Sequence, residues 1–324
     1  MSGCDTISQE GIMILVTGGS GYVGSHIVRR LAGAGRPVRA MVRDRRWAER
    51  EARLGEIHVE WVEADVTRPE TLPAAMVGVE TLIHTVAIAV EKGDVTYERV
   101  NLHGTHNVLQ AAAVSGVRRF INMSQLGAAP DLPYRFLASK GQAQALVAQS
   151  DFDWTAFRPS VVWGPEDEFA NTFAKLAQMT PFIFPIIGDG LAKFEPVWVE
   201  DVVTAVEASL DDGATYGKEF ELGGPEVLTM EQIERRTLAA MDARRLFVRF
   251  PVPLIRIAVW LMETLLPSPP VTRSLLELLA VDNVTRDNST TRFVSSPRAF
   301  TSENIREYMH RFSIGRTLRQ FMGD

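Results

Sequence analysis

Between a short apolar run, Ile12–Thr17, and a segment with apolar residues at helical spacing, Val23, Ile27, Leu31 and Ala34, stands Thr17-Gly18-Gly19-Ser20-Gly21-Tyr22-Val23-Gly24. A glycine-rich turn that leaves a buried strand and opens a helix is the context in which a dinucleotide fingerprint has physical meaning. Gly18 allows the tight turn, Gly21 lets a pyrophosphate approach the backbone, and Gly24 lets the helix pack on the strand. The helix start offers N–H groups and the positive end of its dipole to phosphates. Gly35 and Pro37 then supply the stop signals.

The chain beyond Pro37 repeats the strand–helix theme. Val38–Val42, Ile57–Glu63, Thr81–Ala89, Arg119–Met123 and a strand beginning at Thr155–Phe157 read as strands. Asn101–Val114 and Leu137–Gln149 read as helices. Such alternation predicts a doubly wound parallel sheet of Rossmann type, an α/β fold covered on both faces. Proline and glycine are dense from 159 to 190. Beyond them the spacing predicts a strand at Val197–Val199, a helix at Val202–Leu210 and a strand at Glu219–Leu222. Thr229 and Gln232 form a capping-box pattern that opens a helix to about Met241. The expected organisation is an N-terminal extension, 1–11, and a dinucleotide-binding domain, 12–160, to which 196–215 return. Segments 161–195 and 216–324 form a smaller, mostly helical C-terminal lobe.

Composition narrows the partners. Net charge is −6, which does not suit the phosphate neutralisation that drives nucleic-acid binding. The one cysteine, Cys4, excludes an internal disulfide and zinc sites built on several cysteines. Residues 1–10 carry Asp5 and Glu10 without an apolar core, so no export signal is expected and the chain reads as cytoplasmic. The charge-free stretches 11–28 and 100–117 are broken by glycines and by His or Asn, so no transmembrane span is expected. Residues 250–267 are apolar nearly all round, but only 13 residues separate Pro253 from Pro267. That is too short to cross a bilayer. It suits either burial in the small lobe or an interface with a protein or a membrane surface.

The end of the second strand bears on cofactor choice. An acid at that place would hold a ribose 2′-hydroxyl and favour NAD(H). Here the chain reads Val42-Arg43-Asp44-Arg45-Arg46. A guanidinium fits a phosphate in fork geometry, so Arg43 points to NADP(H) over NAD(H), with Asp44 an alternative partner for the ribose. Asp65 and Val66, at the end of strand three, are expected beside the adenine.

These pieces together resemble the short-chain dehydrogenase/reductase superfamily in its extended or atypical branch. The resemblance rests on T-G-G-S-G-Y-V-G at 17–24, D-V at 65–66, H-T-V-A at 84–87 and V-N-L-H-G-T-H-N-V at 100–108. It continues through N-M-S-Q at 122–125, Lys140, R-P-S-V-V-W-G-P at 158–165 and P-V-W-V-E-D-V at 196–202. It implies a cofactor cradle from Thr17, Gly18, Gly19, Ser20, Gly21, Tyr22, Val23 and Gly24. Arg43, Asp65, Val66, Val86, Ala87, Lys140 and Pro159 complete it. Nearly the whole chain, including F-E-L-G-G-P-E-V-L-T and L-P-S-P-P-V-T, is similar to bacterial relatives of the short-chain-dehydrogenase-like accessory subunit of respiratory complex I. That group is implied to bind NADP(H) without obvious turnover and is associated with complex I assembly or quinone metabolism.

The superfamily's proton chemistry uses Tyr-x-x-x-Lys and a serine at the end of strand five. Ser124 and Lys140 stand in place, but Phe136 occupies the position four before the lysine. Tyr134, six before it, lies about 240° round a regular helix and so roughly on the other side. It is expected at or before the helix start, as a packed or rim aromatic or as a substitute acid. Lys140 keeps a second role, holding the nicotinamide ribose. His84, His103 and His106 read as structural rather than as a metal site, and Asn101 as a residue bonding backbone or water under the active site. Two functions compete: a complex I-associated NADP(H)-binding protein, and an NAD(P)H-dependent reductase, isomerase or epimerase acting on a hydrophobic or quinone-like carbonyl.

Overall fold

The computed structural model describes residues 12–50, 59–180, 182–186, 189–249, 257, 259–261, 264, 278 and 281–309. Its centre is a seven-stranded parallel sheet of β1 (Met13–Thr17), β2 (Val38–Val42), β3 (Glu60–Glu63), β4 (Val79–His84), β5 (Arg119–Met123), β6 (Asp153–Pro159) and a last strand, Lys218–Leu222. The last strand is β11 once the short lobe strands β7 (Val162–Trp163), β8 (Ile183–Ile186), β9 (Lys193–Phe194) and β10 (Val197–Trp198) are counted. The sheet order is β11-β6-β5-β4-β1-β2-β3. The chain starts in the middle, winds outward through β3, then returns to β4 on the other side of β1. Ile14, Leu15 and Val16 are buried on both faces of β1, as a strand covered by helices on both sides must be.

The helices over the sheet are α1 (Tyr22–Gly33), α2 (Arg45–Arg50), α3 (Leu72–Ala75), α4 (Gly104–Val114), α5 (Arg135–Ala148) and, after the lobe helix α6 (Ala170–Met179), α7 (Val199–Ser209). One face packs Ile27, Val28 and Leu31 of α1 with Val202, Val203 and Val206 of α7. On the other, Val108, Leu109 and Ala112 of α4 meet Leu82, Phe120 and Val147. The predicted helix at Asn101 begins earlier, in a π-helical turn over Glu98–His103 that runs directly into α4.

The second lobe has its own core, with Trp163, Phe173, Phe184, Phe194, Phe300 and Ile305 among its buried side chains. It contains β12 (Leu228–Thr229), α8 (Met230–Ala240), β13 (Leu246–Arg249) and α10 (Ser302–Met309), whereas α9 (Thr290–Phe293) packs on α7 and β11 of the sheet domain, with Phe293 against Phe157 and Phe220. The Thr229–Gln232 capping box forms as the sequence indicates. The strand at 218–222 corrects the assignment of all of 216–324 to this lobe. It pairs in parallel with β6, and Phe220 and Leu222 turn into the same core as Phe157. The extension 1–11 and most of 250–267 lie outside the described residues.

Candidate functional site

In an open α/β sheet, ligands bind at the carboxyl ends of the strands, where the winding direction reverses. Here that point lies between β1 and β4, whose last residues, Thr17 and His84, are register partners. Gly18 follows Thr17 at φ +70, and a Cβ there would lie 2.9 Å from Thr85 Oγ1. A Cβ on Gly24 would lie 2.1 Å from the Gly18 carbonyl oxygen, so a side chain there would push α1 off the turn. The Gly21 amide donates to the Gly18 carbonyl at 2.8 Å and closes the turn. A Cβ on Gly21 would meet only that same carbonyl oxygen, which leaves its outer side open to a ligand. No acid occupies the first turn of α1, so the helix itself places no negative charge beside an anion at its N-terminus. The cradle fits a dinucleotide pyrophosphate held by the backbone of Gly18–Gly24.

Tyr22 meets this expectation only in part. Its backbone is the first residue of α1, but its hydroxyl lies buried against Gly164, without a hydrogen-bond partner among the described residues. Burial and the nearby Asp167 raise its pKa well above that of an ordinary phenol. Asp167 is itself pushed up to about 6 by burial, although it accepts from the amides of Gly164 and Asn171 and from the Tyr308 hydroxyl. The Tyr22 side chain therefore anchors the turn to the second lobe and leaves phosphate contacts to the backbone.

The other predicted contacts line the same sheet edge. Arg43 is exposed just past β2, near Met41, whose carbonyl accepts from the Gly19 amide. Asp65 follows β3 and uses Oδ1 to accept from the Thr67 amide and hydroxyl. Val66 is buried against Gly104, where an added Cβ would meet its Cγ2 at 2.7 Å. Val86 touches Gly18 while Ala87 is exposed, and Pro159 ends β6 with its carbonyl accepting from the Leu126 amide. Ser20 is half-buried and Val23 packs toward the α1–α7 core.

Ser124 and Lys140 come together at the end of β5. Lys140 Nζ donates to the Met123 carbonyl at 2.6 Å, and the neighbouring Ser124 Oγ is buried without a partner among the described residues. Burial lowers the Lys140 pKa to about 8. Tyr134 caps α5 in extended conformation, outside the helix proper, while Phe136 lies one turn before Lys140 and packs edge-on against Tyr97 with ring centroids 5.7 Å apart.

The three histidines do not converge. His84 is buried, its two ring nitrogens 2.8 Å from Thr17 Oγ1 and 3.0 Å from Thr105 Oγ1. Burial, with a smaller contribution from Lys140, lowers its pKa to about 3, so it is a neutral core residue. His103, at the end of the π-helical turn, and His106, in α4, are both exposed. Asn101 is buried and holds the backbone of Ile88 at both ends, accepting from its amide and donating to its carbonyl. It also donates to Ser139 Oγ, one residue before Lys140. The roles of Glu91, Tyr97 and Arg135 around this point carry no local sequence signature, because their contacts join residues far apart in the chain.

Residues 18–175 match the family described as NAD(P)H-binding. Over 294 residues the chain is 29% identical to the Arabidopsis thaliana protein named NADH dehydrogenase [ubiquinone] 1 alpha subcomplex subunit 9, mitochondrial, a match that covers 87% of this chain and 73% of that one. It spans 62% to 73% of the length of three such complex I relatives. It is 28% identical to a Mycobacterium tuberculosis 3 beta-hydroxysteroid dehydrogenase/Delta 5-->4-isomerase, covering 85% of this chain and 82% of that one. A UDP-glucose 4-epimerase from Thermotoga maritima shares the fold, with a TM-score of 0.68 at 18% identity over 95% of this chain and 100% of the other. The chain thus carries an NAD(P)H-binding domain in an epimerase/dehydratase-like Rossmann fold, and its homologues include complex I subunits as well as bacterial dehydrogenases.

Proposed function

We propose that this protein holds NADP(H), has little ordinary dehydrogenase turnover, and serves a complex I-associated or quinone-metabolism-linked role. One observation carries the reading. Phe136 stands one helical turn before Lys140, on the face where a phenol would have to lie, and it is packed against Tyr97. A phenyl ring has no proton to give. Lys140 does not depend on it, and its ammonium would bind the nicotinamide ribose from its place beside Met123. Arg43 would take the 2′-phosphate, Asp65 and Val66 the adenine side, and the amides from Gly18 to Gly24 the pyrophosphate. Bound NADP(H) would supply a hydride, and the chain's own part is to position that cofactor. The complex I relatives favour a protein partner, and segment 250–267 is our candidate for that contact or for peripheral attachment to a membrane. Among the described residues no helix is long and apolar enough to cross a membrane.

The second reading, an NAD(P)H-dependent reductase, isomerase or epimerase on a hydrophobic carbonyl, draws on Ser124. Its Oγ is buried with no partner among the described residues and so is free to bond a substrate oxygen. NADPH oxidation against quinones, ketosteroids and small ketones separates the two. General acid catalysis is worth about 10² to 10⁴ in rate. The parent protein should turn over barely, Phe136→Tyr should raise the rate, and Tyr134→Phe should change little. Robust turnover by the parent that vanishes in Tyr134→Phe would make Tyr134 the acid and overturn the proposal.

A further inference from the structure

Residues 88–97 leave the end of β4 and cross from the glycine turn to the first turn of α5. At one end, Thr85 Oγ1 donates to the Thr17 carbonyl at 2.6 Å and Val86 lies on Gly18. At the other end, the segment is fastened by a series of bonds. Asn101 grips Ile88, and the Tyr97 hydroxyl donates to the Ala89 carbonyl at 2.8 Å. Lys92 and Val95 exchange backbone bonds and close a tight turn. Glu91 joins the segment to α5. Its carboxylate accepts from both terminal nitrogens of Arg135, at 2.7 and 3.1 Å, and from the Tyr97 amide at 2.9 Å.

We infer that Glu91 is a positioning residue that governs substrate access: through Arg135 and Tyr97 it fastens segment 88–97 across the cleft between the glycine turn and the Lys140 helix. The inference rests on the reading of that cleft as the NADP(H) site. The ring of Tyr97, the last residue of the strap, packs edge-on against Phe136, a second tie between the strap and the first turn of α5. Both flank the strap's attachment, Phe136 next to Arg135 in sequence and Tyr97 bonded to Glu91 and Ala89. On this inference, a bulky carbonyl compound reaches the face of α5 that carries Phe136 and Lys140 by displacing the strap. The fastening is built to be reversible. Arg135 is 71% exposed and Glu91 23% exposed, so water and salt compete for the pair.

The first test needs neither cofactor nor turnover. Lys92 is exposed in the turn of the strap, so trypsin cleavage after Lys92 in the full-length protein reports its release. Glu91→Gln and Arg135→Ala should each speed that cleavage about fivefold in low salt, and 1 M NaCl should speed it in the parent but not in Glu91→Gln. Unchanged cleavage in both variants would overturn the latch. The second test sets Phe136→Tyr against the Phe136→Tyr, Glu91→Gln double variant on a bulky ketone with NADPH. The double variant should show a KM lowered several-fold at similar kcat, which a merely structural role for Glu91 would not produce. No gain in the double variant would overturn the access role. Strong turnover by the unaltered protein would overturn the proposed function while leaving the cleavage result standing.

Discussion

His84, one of the three histidines that the sequence reads as structural, shows in the fold what that structural work is. It ends a strand beside the proposed cofactor site, yet both its ring nitrogens face threonine hydroxyls, Thr17 on β1 and Thr105 on α4. It thereby ties the strand that starts the glycine turn to the helix behind it. Its pKa in the fold, about 3, lies below the ordinary value near 6.5. Between those pH values the unfolded chain takes up a proton that the folded chain refuses. This contribution to stability is therefore complete above about pH 6.5 and is lost as the pH falls toward 3. At roughly 1.4 kcal/mol per unit, the loss is on the order of a few kcal/mol. Urea midpoints measured at pH 7, 5 and 4 should fall steeply in the parent and less steeply in His84→Gln. Equal slopes would mean that His84 is not the acid-sensitive group. Asp167, pushed up to about 6, acts in the opposite sense over pH 4 to 6, and both proteins retain it, so the comparison isolates His84.

Among the elements, what the sequence makes legible is what is local. The glycine turn, β2 at Val38–Val42, β5 at Arg119–Met123 and the Thr229 capping box depend on neighbours a few residues away, and all are found where the pattern puts them. The departure of Tyr134 from the Lys140 face is legible too, because Pro133 and helical spacing place it at the start of α5. What escapes a reading of the chain is pairing with partners far along it. β11 is five residues of mixed charge whose membership in the sheet is decided by pairing with β6. The strap at 88–97 has no periodicity of its own, and its fastening joins Glu91 to Arg135, 44 residues on. Segment 250–267 lies mostly outside the described residues, but the few described there differ in exposure. Val259 is buried with the second-lobe core, whereas Ile257, Trp260 and Leu261 are exposed at helical spacing. If that exposed stripe is a docking face, Trp260→Ser with Leu261→Ser should abolish co-sedimentation with membranes or recovery with a partner complex while leaving the melting temperature nearly unchanged. Unaltered association in a stable variant would show it to be ordinary surface.

For the whole molecule, the two lobes divide the work. The sheet brings Thr17, Gly18, Arg43, Asp65, Val86, Ser124, Lys140 and Pro159 to one edge, although they are spread over more than 140 residues of sequence. The second lobe reaches back to that edge twice. Tyr22 is lodged against Gly164 under the glycine turn, and Asn283 Oδ1 accepts from the Ser160 hydroxyl while its amide donates to the Leu126 carbonyl. A cofactor held between them would therefore contribute to the stability of both lobes, since a ligand that binds only the folded state stabilises it by an amount that grows with the logarithm of its excess over Kd. On the proposed function, the cofactor is retained and serves the fold more than turnover. Native mass spectrometry of the purified protein, with and without Arg43→Asp, tests this most directly. The expected spectrum contains a species carrying one NADP(H) per chain, with the bound mass lost or replaced by NAD(H) when Arg43 becomes aspartate. A parent protein that retains NAD(H), or that takes up neither dinucleotide when both are added in excess, would contradict it.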